Sequence, residues 1–253
     1  MHLRERTSPQ PKATLLYLHG LGESCLGFED LVLTEALMPY RHLAPDLPGY
    51  GKSPWPKEPL GLDELVDIVG RWLPTETDER VIVVGHSMGG VLGQYLCERF
   101  PGQVRGLINI EGNVSGDDCA FSGRIAGYSE ADFLTGGFDE VLERVYWGGV
   151  EDRPLRSYFA AMRLCDPRTL HRCAEELFAI SQREELACHM ATLQVPRVYV
   201  LGNPRGTAAY SRSLLDEKGI RWHAIENAGH WVYLDQPDSF RDLFLQVLGE
   251  MIS

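Results

Sequence analysis

Short apolar runs closed by glycine recur along the chain. Thr14-Leu-Leu-Tyr-Leu-His19 ends at Gly20, Val81-Ile-Val-Val ends at Gly85, and Val198-Tyr-Val-Leu ends at Gly202. Runs this short, without polar alternation, predict strands buried on both faces. Less pure versions lie at Arg41–Pro45, Val104–Ile110 and Arg221–Glu226. Between them the apolar positions switch to helical spacing: Leu62, Leu65, Val66, Val69 and Leu73, then Val91, Leu92, Tyr95, Leu96 and Phe100. A third stripe runs through Phe240, Leu243, Phe244, Val247, Leu248 and Met251. Strands alternating with amphipathic helices predict an α/β fold: a mostly parallel central sheet with helices on both faces, because a parallel neighbour is reached only through a long crossover.

The alternation breaks between about Gly112 and Val195, where helical patterns such as Phe138, Val141, Leu142, Val145 and Tyr146 replace buried strands. The expected organisation is therefore one core made of residues 1–111 and 196–253, with a helical cap inserted at 112–195. Its aromatic residues, Phe121, Tyr128, Phe133, Phe138, Tyr146 and Trp147, are candidates to line an apolar pocket or to pack the cap onto the core.

Composition narrows the partners. A formal charge of −12 repels nucleic-acid phosphates and anionic membrane surfaces, so neither is expected to bind. The first nine residues hold no apolar signal-like segment, and no run approaches the length of a membrane span, which gives a cytoplasmic expectation. Six cysteines are scattered without a C-x-x-C pair, and no regular ligand spacing points to a metal. Reduced thiols and no cofactor are expected.

The strongest chemical signal is Gly85-His-Ser87-Met-Gly89, a G-x-S-x-G turn between a buried strand and an amphipathic helix. Such a turn is too tight for side chains two residues either side of the serine. Ser87 would project its hydroxyl at the strand's C-terminal end, with the Met88 N–H aimed where an oxyanion forms. A dinucleotide loop would need G-x-G-x-x-G, and a P-loop reading of Gly51-Lys-Ser53 fails because its first glycine would fall on Asp46.

Leu18-His-Gly20-Leu-Gly22, Pro45-Asp-Leu-Pro-Gly49-Tyr-Gly51-Lys-Ser53, the Ser87 turn and Asn227-Ala-Gly229-His230-Trp231 follow one another in an order that resembles the α/β-hydrolase superfamily, in its serine esterase or lipase-like branch. The resemblance spans nearly the whole chain. It implies Ser87 as nucleophile, His230 as its base, and the Leu21 N–H as the second oxyanion donor beside Met88. It also implies a structural part for the Asp46 loop. Trp231, next to the base, is a substrate-pocket candidate.

The triad acid departs from the common pattern of that family. Its usual place, three residues beyond Gly202, holds Arg205, which cannot accept an imidazole N–H. Some members carry the acid at the end of the preceding core strand, where this chain has Glu111. Asp117, Asp118 and Asp216 are its competitors.

The expected enzyme is a carboxylic-ester hydrolase for a small, largely apolar acyl substrate, with thioesters and lactones open to the same machinery. Acyl transfer, cofactor-free perhydrolase or haloperoxidase-like chemistry, carbon–carbon bond hydrolysis and a non-catalytic ligand receptor are the alternatives on the same fold. A homodimer is the assembly to test.

Overall fold

The computed structural model describes residues 1–252. Seven strands form one sheet: β1 (Leu3–Arg6), β2 (Thr14–Leu18), β3 (Arg41–Pro45), β4 (Val81–His86), β5 (Val104–Ile110), β6 (Arg197–Arg205) and β7 (Trp222–Gly229). Their spatial order is β1-β3-β2-β4-β5-β6-β7. Every neighbouring pair from β3 to β7 is parallel, and β1 alone runs antiparallel, against β3. This is the predicted α/β class.

The two central strands, β2 and β4, are buried at every position, as their unbroken apolar runs require. The helix Leu62–Glu76 buries Leu62, Leu65, Val66, Val69 and Leu73, the predicted stripe. Glu64 accepts from the Gly61 N–H at 3.0 Å and caps its start. The helix Met88–Arg99 packs on β2, β4 and β5, and the helix Pro237–Ile252 buries Phe240, Phe244, Val247 and Leu248.

β1 has no apolar run. Its sequence Leu-Arg-Glu-Arg has three charged residues in four, which an edge strand with only one paired neighbour tolerates. β6 also runs on past the predicted end at Gly202, through Asn203, Pro204 and Arg205, still paired to β7 although its side chains have become exposed.

Between β5 and β6 the chain forms helices, including Ser122–Ala126, Phe138–Gly148, Arg153–Met162, Pro167–Ser181 and Leu186–Thr192. Asp152 and Asp166 cap two of them, accepting from the N–H groups of Leu155 at 2.9 Å and Arg168 at 3.2 Å. Each is followed within two residues by a proline in the first helical turn, where no N–H is needed. Phe133 is fully buried against Tyr128, Phe138 and His171, so it packs this region internally. Tyr146 and Trp147 are 50% and 64% exposed and line no cavity with Ser87, which corrects the pocket role considered for them.

Because the strands are parallel, the loops after β2, β4, β5, β6 and β7 all emerge at one sheet edge. Among the described residues no helix is long and apolar enough to cross a membrane. All six cysteines are free, and five are buried; Cys188 is exposed.

Candidate active site

Ser87 sits between β4 and the helix Met88–Arg99 with φ 52° and ψ −120°, a backbone conformation costly for any residue with a side chain. What holds it there is close packing of main chain. A Cβ at Gly85 would overlap the carbonyl of Gly89, and one at Gly89 would overlap the carbonyl of Leu18. Glycine at these two positions lets the turn lie against β2, while the Ser87 N–H is tied to the carbonyl of Ile110 at 2.9 Å.

Glu111 leaves β5 with φ 53° and is 3% exposed. Its Oε1 accepts from the main-chain N–H groups of Gly202 at 2.6 Å and Thr207 at 3.1 Å. The other oxygen, Oε2, lies 3.3 Å from Nδ1 of His230. His230 follows β7 in a loop whose Gly229 N–H is held by Asp235 at 2.7 Å. Two fixed donors on one carboxylate oxygen aim the other at the imidazole, which sets the ring's orientation and leaves Nε2 available for a second partner.

The competing acids are engaged elsewhere. Asp118 accepts from the N–H groups of Val114, Ser115 and Ala208 at 2.9, 3.2 and 3.0 Å, and from the Ser211 hydroxyl at 2.7 Å. Asp216 accepts from the indole of Trp222 at 2.8 Å. Asp117 borders the cavity, but the carboxylate against His230 is that of Glu111.

Leu21, Ser87, Glu111, His230 and Trp231 all line one cavity of about 230 Å³, and Met88 follows directly in the helix. Among the described residues no acceptor is paired with the main-chain N–H groups of Leu21 and Met88, whereas the Gly90 and Val91 N–H groups fold back onto the Ser87 carbonyl. Phe121, Tyr158 and Leu177 reach the same cavity from the helical region.

Sequence reasoning missed three groups there. Glu23, in the glycine loop after β2, is buried beside His86 and Trp231. Tyr158 shares a wall with Trp231, their ring centroids 5.4 Å apart. Arg205, noted only for vacating the usual acid position, lines the cavity. Arg124, Arg153, Arg156 and Arg163, all in the helical region, do not line this cavity, and Arg153 borders its neighbour.

Away from the site, His2, Cys25 and Asp46 lie close enough to suggest a metal. Asp46 instead uses its two oxygens on the N–H groups of Cys25 at 2.7 Å and Lys52 at 2.8 Å. Burial, reinforced by Asp46, pushes the Cys25 thiol up to about 12. With both oxygens on main-chain N–H groups, the Asp46 carboxylate clamps its own loop to the Cys25 segment.

A strained serine at a strand-to-helix turn, with a carboxylate-held histidine on a neighbouring loop of a parallel sheet, defines the α/β-hydrolase class of site. Residues 15–243 match the Alpha/beta hydrolase family, and the chain belongs to it. Sequence relatives include Lipase LipV of Mycobacterium tuberculosis, 34% identical over 113 residues, which cover 45% of this chain and 42% of that protein. Epoxide hydrolase 3 of Siraitia grosvenorii is 33% identical over 99 residues, covering 38% and 31%. The matched part thus spans less than half the length of either relative. A thermophilic esterase from Thermogutta terrifontis superposes with a TM-score of 0.80 at 15% identity, covering 100% of this chain and 94% of that one, a likeness of fold.

Proposed function

We propose that the chain is a serine hydrolase that cleaves a carboxylic ester of a small, largely apolar acyl group through an acyl-enzyme on Ser87. The observation that carries this is the junction of three features in one cavity: the positive-φ serine, the histidine held by Glu111, and two unengaged N–H groups beside the serine.

In this reading Ser87 Oγ attacks the ester carbon as His230 takes the hydroxyl proton, and the Leu21 and Met88 N–H groups receive the oxyanion. Glu111 stabilises the imidazolium formed in that step. Collapse breaks the ester C–O bond, the alcohol leaves with the proton from His230, and water repeats the sequence to release the acid. Helices of residues 112–195 act as a cap, placing Phe121, Tyr158 and Leu177 over the reacting atoms and restricting water.

A serine rather than an aspartate at the turn supports ester over epoxide chemistry, since epoxide opening by this fold proceeds through an alkyl-enzyme ester on a carboxylate. The volume of about 230 Å³ is below the usual range for drug-sized ligands and favours short acyl chains. The test is hydrolysis of p-nitrophenyl esters of increasing length. The expected result is turnover highest for short chains and abolished in Ser87→Ala; turnover retained by that variant would refute the reading.

A further inference from the structure

One buried carboxylate next to the reacting groups has no part in the ester mechanism. Glu23, 5% exposed, lies in the loop after β2, and its carboxylate partners among the described residues are all nitrogens. The Gly20 N–H donates to Oε2 at 2.9 Å, and the Trp231 indole donates to Oε1 at 2.7 Å. Nδ1 of His86 lies 3.0 Å from Oε1 and 3.1 Å from Oε2. The His86 ring is fully buried, and its Nε2 is 2.9 Å from the main-chain oxygen of His230, which only accepts. Nε2 therefore carries a hydrogen, and one further proton lies between Nδ1 and the carboxylate. Two other N–H donors already favour the carboxylate anion, which leaves that proton on the ring.

We propose that Glu23 and His86 are positioning residues: a buried carboxylate–imidazolium pair that clamps together the three loops carrying the oxyanion donor, the nucleophile and the base. The proposal rests on the serine-hydrolase reading for what those loops do. The connections are direct. Glu23 holds Gly20, next to Leu21, and Trp231, next to His230. His86 is adjacent to Ser87 and holds the His230 carbonyl. The two histidine rings are 4.7 Å apart.

The groups facing His86 agree with this charge state. Glu23 comes from the β2 loop, Glu111 from the end of β5, and the ring of Tyr233 stands edge-on at 5.3 Å. Burial alone would lower the imidazole, but the charge and hydrogen bond of Glu23, the His230 carbonyl and the Glu111 charge together raise it. Burial would likewise raise Glu23; the His86 charge and the bonds from His86, Gly20 and Trp231 hold it at about 2. In sign, the pair is intact above the ordinary glutamate range and is lost as pH rises through the raised His86 value.

Nitrogen-15 NMR of the full chain, labelled at histidine, reads the pair without turnover. At about pH 7.5 the expected His86 spectrum shows both ring nitrogens protonated, with one losing its proton in Glu23→Gln. The same variant should lower kcat on a p-nitrophenyl ester by about 10- to 100-fold while KM moves less than about threefold, as expected from misplaced loops rather than lost binding. Trp231→Phe, which removes the indole donor together with part of a ring that lines the cavity, should lower kcat by about three- to tenfold.

An unprotonated ring nitrogen on wild-type His86 at that pH overturns the pair, whatever the fate of the variants. Unchanged kcat in either folded variant overturns its positioning role. A wild-type chain that neither hydrolyses esters nor reacts with a fluorophosphonate would overturn the serine-hydrolase reading instead, with the nitrogen signals still deciding for or against the ion pair.

Discussion

At Glu111 a single carboxylate divides its two oxygens between main-chain N–H groups and an imidazole. Oε1 is fixed by Gly202 and Thr207, and Oε2 meets His230. Glu111→Gln keeps the size but turns one end into a donor, so either a backbone N–H or the imidazole N–H faces the wrong group. Ester turnover is expected to fall roughly 10³- to 10⁴-fold with the circular dichroism unchanged, the scale set by losing the correct imidazole tautomer. A fall of less than about tenfold would remove Glu111 from that role. The place of Glu111 beside His230 was foreshadowed in the sequence by the resemblance, since Arg205 fills the family's usual acid position and Glu111 ends a strand. Glu23 was not legible: its partners come from loops roughly 60 and 200 positions away, and only the fold brings such groups together.

Among the elements, the helix Arg153–Met162 is the one that borders two neighbouring cavities. It sets Tyr158 against Trp231, and the two rings separate the Ser87 cavity from a second one of about 480 Å³ lined in part by Leu26, Pro154, Ala161 and Leu234. Tyr158→Ala should join the two spaces. In a p-nitrophenyl ester series the expected outcome is a longer optimal acyl chain, measured as kcat/KM, and a preference still for the shortest chains would contradict the partition. Tyr158 is 4% exposed, so the variant should also lose stability, on the order of 3–5 kcal/mol as for other buried aromatic truncations. The strands were legible wherever both faces are buried, as in β2 and β4, because an unbroken apolar run has no other use at that length. β1 was not, since Leu3-Arg-Glu-Arg carries the mixed polarity of an edge. Nor could the helical stripes say which aromatics meet the cavity: periodicity marks an inward face, and Phe121 and Phe133 both lie inward, one at the cavity and one in packing.

For the molecule as a whole, folding stability should weaken in mild acid. His19 is buried with Nδ1 donating to the Gly20 carbonyl at 2.9 Å and Nε2 accepting from the Leu47 N–H at 3.0 Å, an arrangement only the neutral ring can make. His42 lies between the Leu37 carbonyl at 2.9 Å and the Tyr17 hydroxyl at 3.0 Å. Burial is the main cause holding both below the ordinary histidine range. The unfolded chain therefore takes up protons near pH 6.5 that the native chain refuses, and stability falls as pH drops through that point. Two effects act the other way: the raised His86, one histidine against two, adds stability as pH falls, and so does relief of repulsion from the net charge of −12, which is long-ranged and screened by salt. At about 0.15 M salt, Tm should fall by a few degrees between about pH 7 and pH 5.5. A Tm that stays level or rises over that interval would contradict the assignment of neutral buried histidines.

The expectations for turnover all depend on the hydroxyl of Ser87 being an activated nucleophile. Intact-mass spectrometry after exposure to a fluorophosphonate, with the adduct mapped by peptide sequencing, tests that most directly. The expected result is one phosphonyl group per chain, on Ser87, and none on Ser87→Ala. A wild-type chain that stays unmodified, or an adduct on any other residue, would contradict it.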